Sequence, residues 1–314
     1  MDYVKTAAGI AAHIRSAVRP HLGTPAARGI TGTASSGDAT FNIDNIAEEA
    51  VLQYIEQNGL NVAVYTEDEG LKEFGRPEAV LIIDPIDGTR PAAAGFESCV
   101  VSVAVAKCGE EVRMKDVVAG CIYEIKHDRL FTALKGDGAK VFCDGKEAAV
   151  SLSPVNDIIN SAWTAEVAGR PFDKTGVVLR DALAASSITG GFFVLNSTAF
   201  SLSRLVTGQL SAVVDVAGRM LNQCPWSRDN FLQAGNDRVI GLFPYDFAAA
   251  AFIAMEAGCV VTDAWGNSLD EIDLLDSSEG NIQSILACSS TKVHAQFLRM
   301  IDDGFRRLSD ESGS

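Results

Sequence analysis

Residues 2–18 carry apolar side chains at Val4, Ala7, Ile10, Ala11, Ile14 and Val18, a spacing near 3.6 that predicts an amphipathic helix. The stretch "GTPAARGITGTASSGD" is rich in Gly, Ser and Thr and reads as a loop. A second helix is expected from about Asp44 to Gln57, with Ile46, Ala50, Val51, Tyr54 and Ile55 inward. Short apolar runs follow at Val62–Tyr65, Val80–Ile83, Cys99–Ala106, Val117–Ile125, Leu130–Ala133 and Ala148–Leu152, separated by turns such as "KGDG" and "CDGK". These read as strands.

Beyond residue 155 the pattern alternates. Strands are expected at Ala162–Ala165, Phe192–Leu195 and Ala212–Asp215, and in "CVVTD" and "SILAC". Helices are expected near Thr175–Ala185, at Thr198–Val206, in "YDFAAAAFIAMEAGC" and from about Thr291 to Arg307. Such alternation predicts an α/β layer. The chain is therefore expected to form two lobes with a cleft between them, residues 1–155 and residues 156–314. One segment, residues 216–245, has only weak periodicity. A stretch this long is functional or holds its own short helix.

The apolar fraction of 47% is enough for a sizeable core, and no run reaches the roughly 18 apolar residues of a membrane span. The formal charge of −15 disfavours a nucleic-acid polymer and requires cations to screen any anionic substrate. Seven scattered cysteines without a CxxC predict free thiols in a reducing, cytoplasmic setting. Four histidines without ligand spacing argue against a zinc site.

The carboxylates change the picture. "DPIDGT" places Asp84 and Asp87 at the end of an apolar run, and "TEDEG" places Glu67, Asp68 and Glu69 at the end of another. Taken singly, each has an ordinary explanation. "DP" and "DG" form turns, an acidic corner is solvated, and Asp44 and Asp246 open helices as N-caps. Taken together, Glu67 and Asp84 close strands, which is where sites collect in layered α/β structures. Converging carboxylates repel by roughly 4 kcal/mol per close pair at an effective dielectric near 20. Hard divalent cations remove that penalty, and an all-oxygen set favours Mg²⁺. Glu67, Asp84, Asp87 and Asp246 would balance two such ions. The tight turn at Gly88 and Thr89 offers N–H groups as an anion seat, a pairing suited to phosphate ester hydrolysis.

"DPIDGT", the acidic "TEDEG" before it and "YDFAAAAFIAMEAGCVVTDAWG" after it resemble the inositol monophosphatase family of Mg²⁺-dependent, lithium-sensitive phosphatases. The N-terminal "GTASSGDATFNIDNIAEEAV" is most similar to the archaeal-type branch, which hydrolyses inositol monophosphate and often fructose 1,6-bisphosphate. The resemblance implies an α+β fold, an αβαβα layered sandwich of the sugar-phosphatase type, usually a homodimer. It implies that Glu67 and the Ile86 carbonyl bind a first metal, that Asp84 bridges two metals, and that Asp87 and Asp246 hold the second. Asp44 and Thr89 would orient the attacking water, with Glu67 in the same catalytic group. Gly88 and Thr89 would bind phosphate, Asp68 would steady a further, weaker metal, and Li⁺ would inhibit.

Departures from the family pattern cluster around the leaving group. Arg90, Pro91 and Ala92 replace T-N-F after DGT, Asn196 replaces a Gly before Ser197, Thr198 and Ala199, and Tyr245 replaces a Trp. Asp215 falls where a substrate-hydroxyl ligand sits, with Ser197, Thr198 and Arg90 as further substrate contacts. Arg219 and Arg228 read either as solvated loop residues or as anion contacts. Alternatives are a 3′(2′),5′-bisphosphate nucleotidase, another sugar-phosphate phosphatase, or a regulatory binding protein that keeps the fold without turnover.

Overall fold

A computed structural model describes residues 1–33, 39–67 and 69–311 of the chain. Its architecture is an α+β sandwich of five layers. An eight-stranded sheet is built from strands between Val62 and Ala148, and a five-stranded sheet from strands between Ala162 and Cys288. Helices Tyr3–Val18 and Asn42–Asn58 cover one face of the large sheet. Helices Thr198–Val206 and Pro244–Glu256 fill the space between the sheets, and Phe172–Ser186 and Thr291–Glu311 cover the outer face of the small one.

The strand Ala79–Asp87 shows why its sequence is continuously apolar. Leu81 and Ile83 join the core beneath the first two helices, while Val80 and Ile82 join the core shared with the interior helices. Successive side chains alternate faces, so a strand covered on both sides has no polar face to present. The interior helix Pro244–Glu256 approaches closely because it is lined with alanines. A Cβ on Gly120 of the sheet would sit 3.0 Å from the Ala249 carbonyl oxygen.

Several expectations shift. Strands Gly70–Phe74 and Gly138–Cys143 exist where none is expected from the pattern, while Ala148–Leu152 is largely irregular, its strand being Lys146–Ala148. Gly70–Phe74 is an edge strand with alternating exposure, bearing Lys72 and Glu73, so its apolar signal is weak. The Gly/Ser-rich stretch contributes strand Ile30–Thr33, paired with Ala39–Phe41; residues 34–38 lie outside the described residues. The segment 216–245 is not a bare loop. It holds helices Ala217–Gln223 and Arg228–Ala234. Arg219 within it is buried against the rings of Phe305 and Trp265 and bonds the Ala264 carbonyl and Asp302. Arg228 forks onto Glu279. Arg219 is thus engaged in holding the segment, which corrects its reading as a solvated residue or an anion contact. Arg228 is a solvated residue, as the first alternative has it, in a surface ion pair with Glu279.

Among the described residues no helix is long and apolar enough to cross a membrane. All seven cysteines are free thiols.

Candidate active site

Strand Val62–Thr66 runs parallel to Ala79–Asp87, with Thr66 opposite Ile83, so both chains leave the sheet at the same edge. Glu67 and Asp84 follow these paired residues directly. Parallel pairing of neighbours is what gathers strand ends into one site.

Asp84 and Asp87 pose a harder problem, because residues three apart on a regular strand point to opposite faces. The structure resolves it with a bulge. Asp84 pairs with Ser102 and Asp87 with Val100, so three steps on one strand match two on its partner. The extra residue restores both carboxylates to one side. The Ile86 N–H, inside the bulge, donates to Asp84 Oδ1 at 3.0 Å.

Asp87 is held by the start of helix Thr198–Val206. Its Oδ2 accepts from the Ser197 hydroxyl at 2.8 Å and from the Ala199 N–H. Ser197 also caps that helix, accepting from the Phe200 N–H. The helix is fastened further along by the buried pair of Arg204 with Glu124. Ser197 and Thr198 line the cavity, as the sequence suggests, but the Ser197 hydroxyl is already committed to Asp87.

Asp44 and Asp246 are not N-caps. Each is the third residue of its helix, and its Oδ2 accepts from the N–H of the capping residue, Phe41 or Phe243, at 2.7 Å. The Thr89 hydroxyl lies 3.0 Å from Asp44 Oδ1 and 3.1 Å from the Ile86 carbonyl oxygen. Gly88 makes the turn between strand and short helix at φ +92°, and a Cβ there would lie 2.4 Å from the Ser98 carbonyl oxygen. Only glycine fits this turn.

These groups meet in a cavity of about 100 Å³. Its carboxylates are Asp44, Glu67, Asp84, Asp87, Glu166 and Asp246, faced by Arg90 and Arg170. Burial, then repulsion from Asp87, Glu67 and Asp246, holds the Asp84 carboxyl well above the usual range. Burial and the charges of Glu67 and Asp87 do the same to Asp246. Asp87 is pushed up to about 6 by burial, with the Ser197 and Ala199 hydrogen bonds opposing. Among the described residues no three carboxylate, imidazole or thiol groups already form a compact ligand cluster. The acids approach from separate walls, and the donor set is oxygen throughout. Buried, mutually repelling carboxylates of this kind fit hard divalent cations.

The remaining sequence expectations differ in outcome. Asp68 lies outside the described residues. Arg90 lines the cavity with an exposed side chain. Asp215 does not line it: fully buried, it accepts from Arg170 Nη2 at 2.6 Å and from the Ala217 N–H at 2.7 Å. The wall instead carries Glu166 and Arg170. Sequence reasoning passed over both. Their one signal was position, directly after strand Ala162–Ala165.

The sequence profile of the inositol monophosphatase family matches residues 2–300. The chain belongs to the inositol monophosphatase family. It is accordingly a phosphatase acting on phosphomonoesters. The fructose-1,6-bisphosphatase/inositol-1-monophosphatase of Methanothermobacter thermautotrophicus is 25% identical over 300 residues, covering 93% of this chain and 94% of its own. Inositol monophosphatase 1 of Sus scrofa is 27% identical over 277 residues, covering 86% and 85%. The solved inositol monophosphatase of Thermotoga maritima superposes with a TM-score of 0.69 at 18% identity, covering 98% of this chain and all of its own, a likeness of fold.

Proposed function

We propose that the phosphatase hydrolyses a small phosphorylated polyol or sugar, inositol 1-phosphate or fructose 1,6-bisphosphate foremost, with Mg²⁺ as cofactor. The observation that carries this reading is the convergence of Glu67, Asp84, Asp87 and Asp246 on one cavity beside the turn of Gly88 and Thr89. Glu67, Asp84 and the Ile86 carbonyl would hold one cation, and Asp84, Asp87 and Asp246 a second. Bound there, the cations would polarise phosphate oxygens and make water more acidic.

The chain's own residues supply the rest. The Gly88 and Thr89 N–H groups open helix Thr89–Ala94, where first-turn N–H groups have no partner within the helix and can meet a phosphate oxygen. Thr89 Oγ1, donating its proton to Asp44 Oδ1, keeps lone pairs to accept the proton of an attacking water. Asp44 is the base behind that hydroxyl, and its orientation is fixed by the Phe41 N–H. Asp87 is fixed in the same way by Ser197 and Ala199. A cytoplasmic homodimer inhibited by Li⁺ completes the proposal.

Phosphate release from a panel of sugar, inositol and nucleotide phosphates, with and without Mg²⁺ and Li⁺, tests it. Mg²⁺-dependent turnover of a polyol or sugar ester that disappears in Asp87→Asn supports the reading. Undiminished turnover in that variant overturns the site assignment.

A further inference from the structure

Helix Thr198–Val206 carries a single charged side chain, Arg204, and it is buried between the sheets. The guanidinium lies over the rings of Phe200 and Phe131, 4.3 and 5.3 Å from their centres. Its Nη2 donates to the buried Glu124 carboxylate, and its Nη1 to Gln209 Oε1 at 3.0 Å. Apolar side chains of similar volume would hold this space about as stably, because desolvation offsets much of a buried pair's attraction. What the charged pair adds is direction, since a hydrogen-bonded fork closes in one geometry and apolar surfaces slide.

The other end of the same helix holds Asp87, through the Ser197 hydroxyl and the Ala199 N–H. Strand pairing puts the two anchors in one row. Asp87 pairs with Val100, and Val100 pairs with Glu124 on the strand beyond. Two strand spacings amount to about 9–10 Å. From Thr198 to Arg204 a helix rises about 9 Å. The helix lies against all three strands and so crosses them along that row. Its length between anchors matches the distance they span, and a shift along its axis breaks one of them. We propose that the Arg204–Glu124 pair is a positioning device for the reaction: it fixes the axial place of helix Thr198–Val206 and so aims the Asp87 carboxylate at its cation. Neither residue lines the cavity, and both act through Ser197 and Ala199. The role rests on the proposed reading of Asp87 as a cation ligand and names what holds that ligand in place.

The test replaces both partners at once, Glu124→Leu with Arg204→Met, so that no buried charge is left alone. The melting temperature without Mg²⁺ should stay close to that of wild type. Mg²⁺ affinity, measured by titration calorimetry on the protein without substrate, should fall about tenfold. In phosphate release, the Mg²⁺ concentration for half-maximal activity should rise by about the same factor, with kcat at saturating Mg²⁺ within about threefold of wild type. Wild-type Mg²⁺ affinity in the double variant overturns the proposal. If that variant does not fold, Arg204→Lys carries the same test, because it keeps the charge and loses the fork. A further readout needs no metal: hydrogen exchange at the Ala199 N–H, which Asp87 holds. Its protection should fall about tenfold in the variant while the amides of strand Val62–Thr66 keep theirs. Unchanged protection at Ala199 overturns the clamp whether or not Mg²⁺ binds. Wild-type protein that binds no Mg²⁺ overturns the cation reading of Asp87 instead, and the exchange result then decides the clamp by itself.

Discussion

Asp44 and Asp246 occupy the same position in two separate helices. Each is the third residue, and each gives Oδ2 to the N–H of the capping residue at 2.7 Å. One oxygen of each carboxylate therefore stabilises the helix start, and both residues line the cavity. The helix-starting contact and the proposed chemical role of each aspartate are therefore compatible. The same backbone contact that begins the helix aims the acid.

That double use separates two kinds of substitution. Asp44→Asn keeps an oxygen for the Phe41 N–H, so its melting temperature should stay close to wild type while phosphate release falls about 10²-fold or more. Asp44→Ala should lose activity equally and also cost about 1 kcal/mol of stability through the lost hydrogen bond to the Phe41 N–H. Thermal unfolding alongside a phosphate-release assay distinguishes them; full activity in the Asn variant would refute the base role.

Without divalent cations, stability should fall as pH rises. Burial pushes Asp87 up to about 6 and Glu166 up to about 8, and holds Asp84 and Asp246 above the usual carboxylate range. From about pH 4 the native state therefore keeps protons that the unfolded chain has released, and stability declines wherever that is so. The expected decline spans about pH 4 to 8. Saturating Mg²⁺ should flatten it, because cation binding favours the ionised native carboxylates. Melting temperatures measured in EDTA and in Mg²⁺ across this range check the sign; a rise with pH in EDTA would contradict it.

Gly88→Ala should damage both fold and site. The added Cβ meets the Ser98 carbonyl oxygen and Ser197 at a backbone conformation that disfavours side chains. A loss of about 1–3 kcal/mol is expected, with phosphate release reduced at saturating substrate because Asp87 and Thr89 flank the turn. Denaturant unfolding and kcat are the measurements.

Arg219→Ala tests what segment 216–245 rests on. The guanidinium lies 4.4 Å from the Phe305 ring centre and bonds the Ala264 carbonyl at 2.6 Å. Its removal should cost about 2 kcal/mol of stability and leave KM unchanged. A raised KM with unchanged stability would instead return this residue to the substrate.

Much of the layered fold was legible because side-chain periodicity is a local property. The span Thr198–Val206 and the strand Ala212–Asp215 follow from pattern alone, as does the apolar run ending in Asp84. Edge strand Gly70–Phe74 was not legible, because it is short, none of it is fully buried, and its charged residues Lys72 and Glu73 interrupt any apolar run. Within the site, the acidic residue types and their places at element ends were readable. Their partners were not. Asp215 reads as a substrate ligand until Arg170, 45 residues earlier, is found paired with it.

The sequence by itself determined which side chains could do phosphate chemistry: carboxylates closing apolar strands, and a glycine turn between Asp87 and Thr89. Only the tertiary structure decided which of them point the same way. A single extra residue in Ala79–Asp87, counted against Val100–Lys107, turns Asp84 and Asp87 to one face. That register depends on where the neighbouring strand pairs, a contact between distant residues that local composition does not encode. The same holds for Glu166 and Arg170. Nothing in "TAEVAGRP" shows that two polar atoms end buried and unmet, because burial is a property of the neighbours that fold around them.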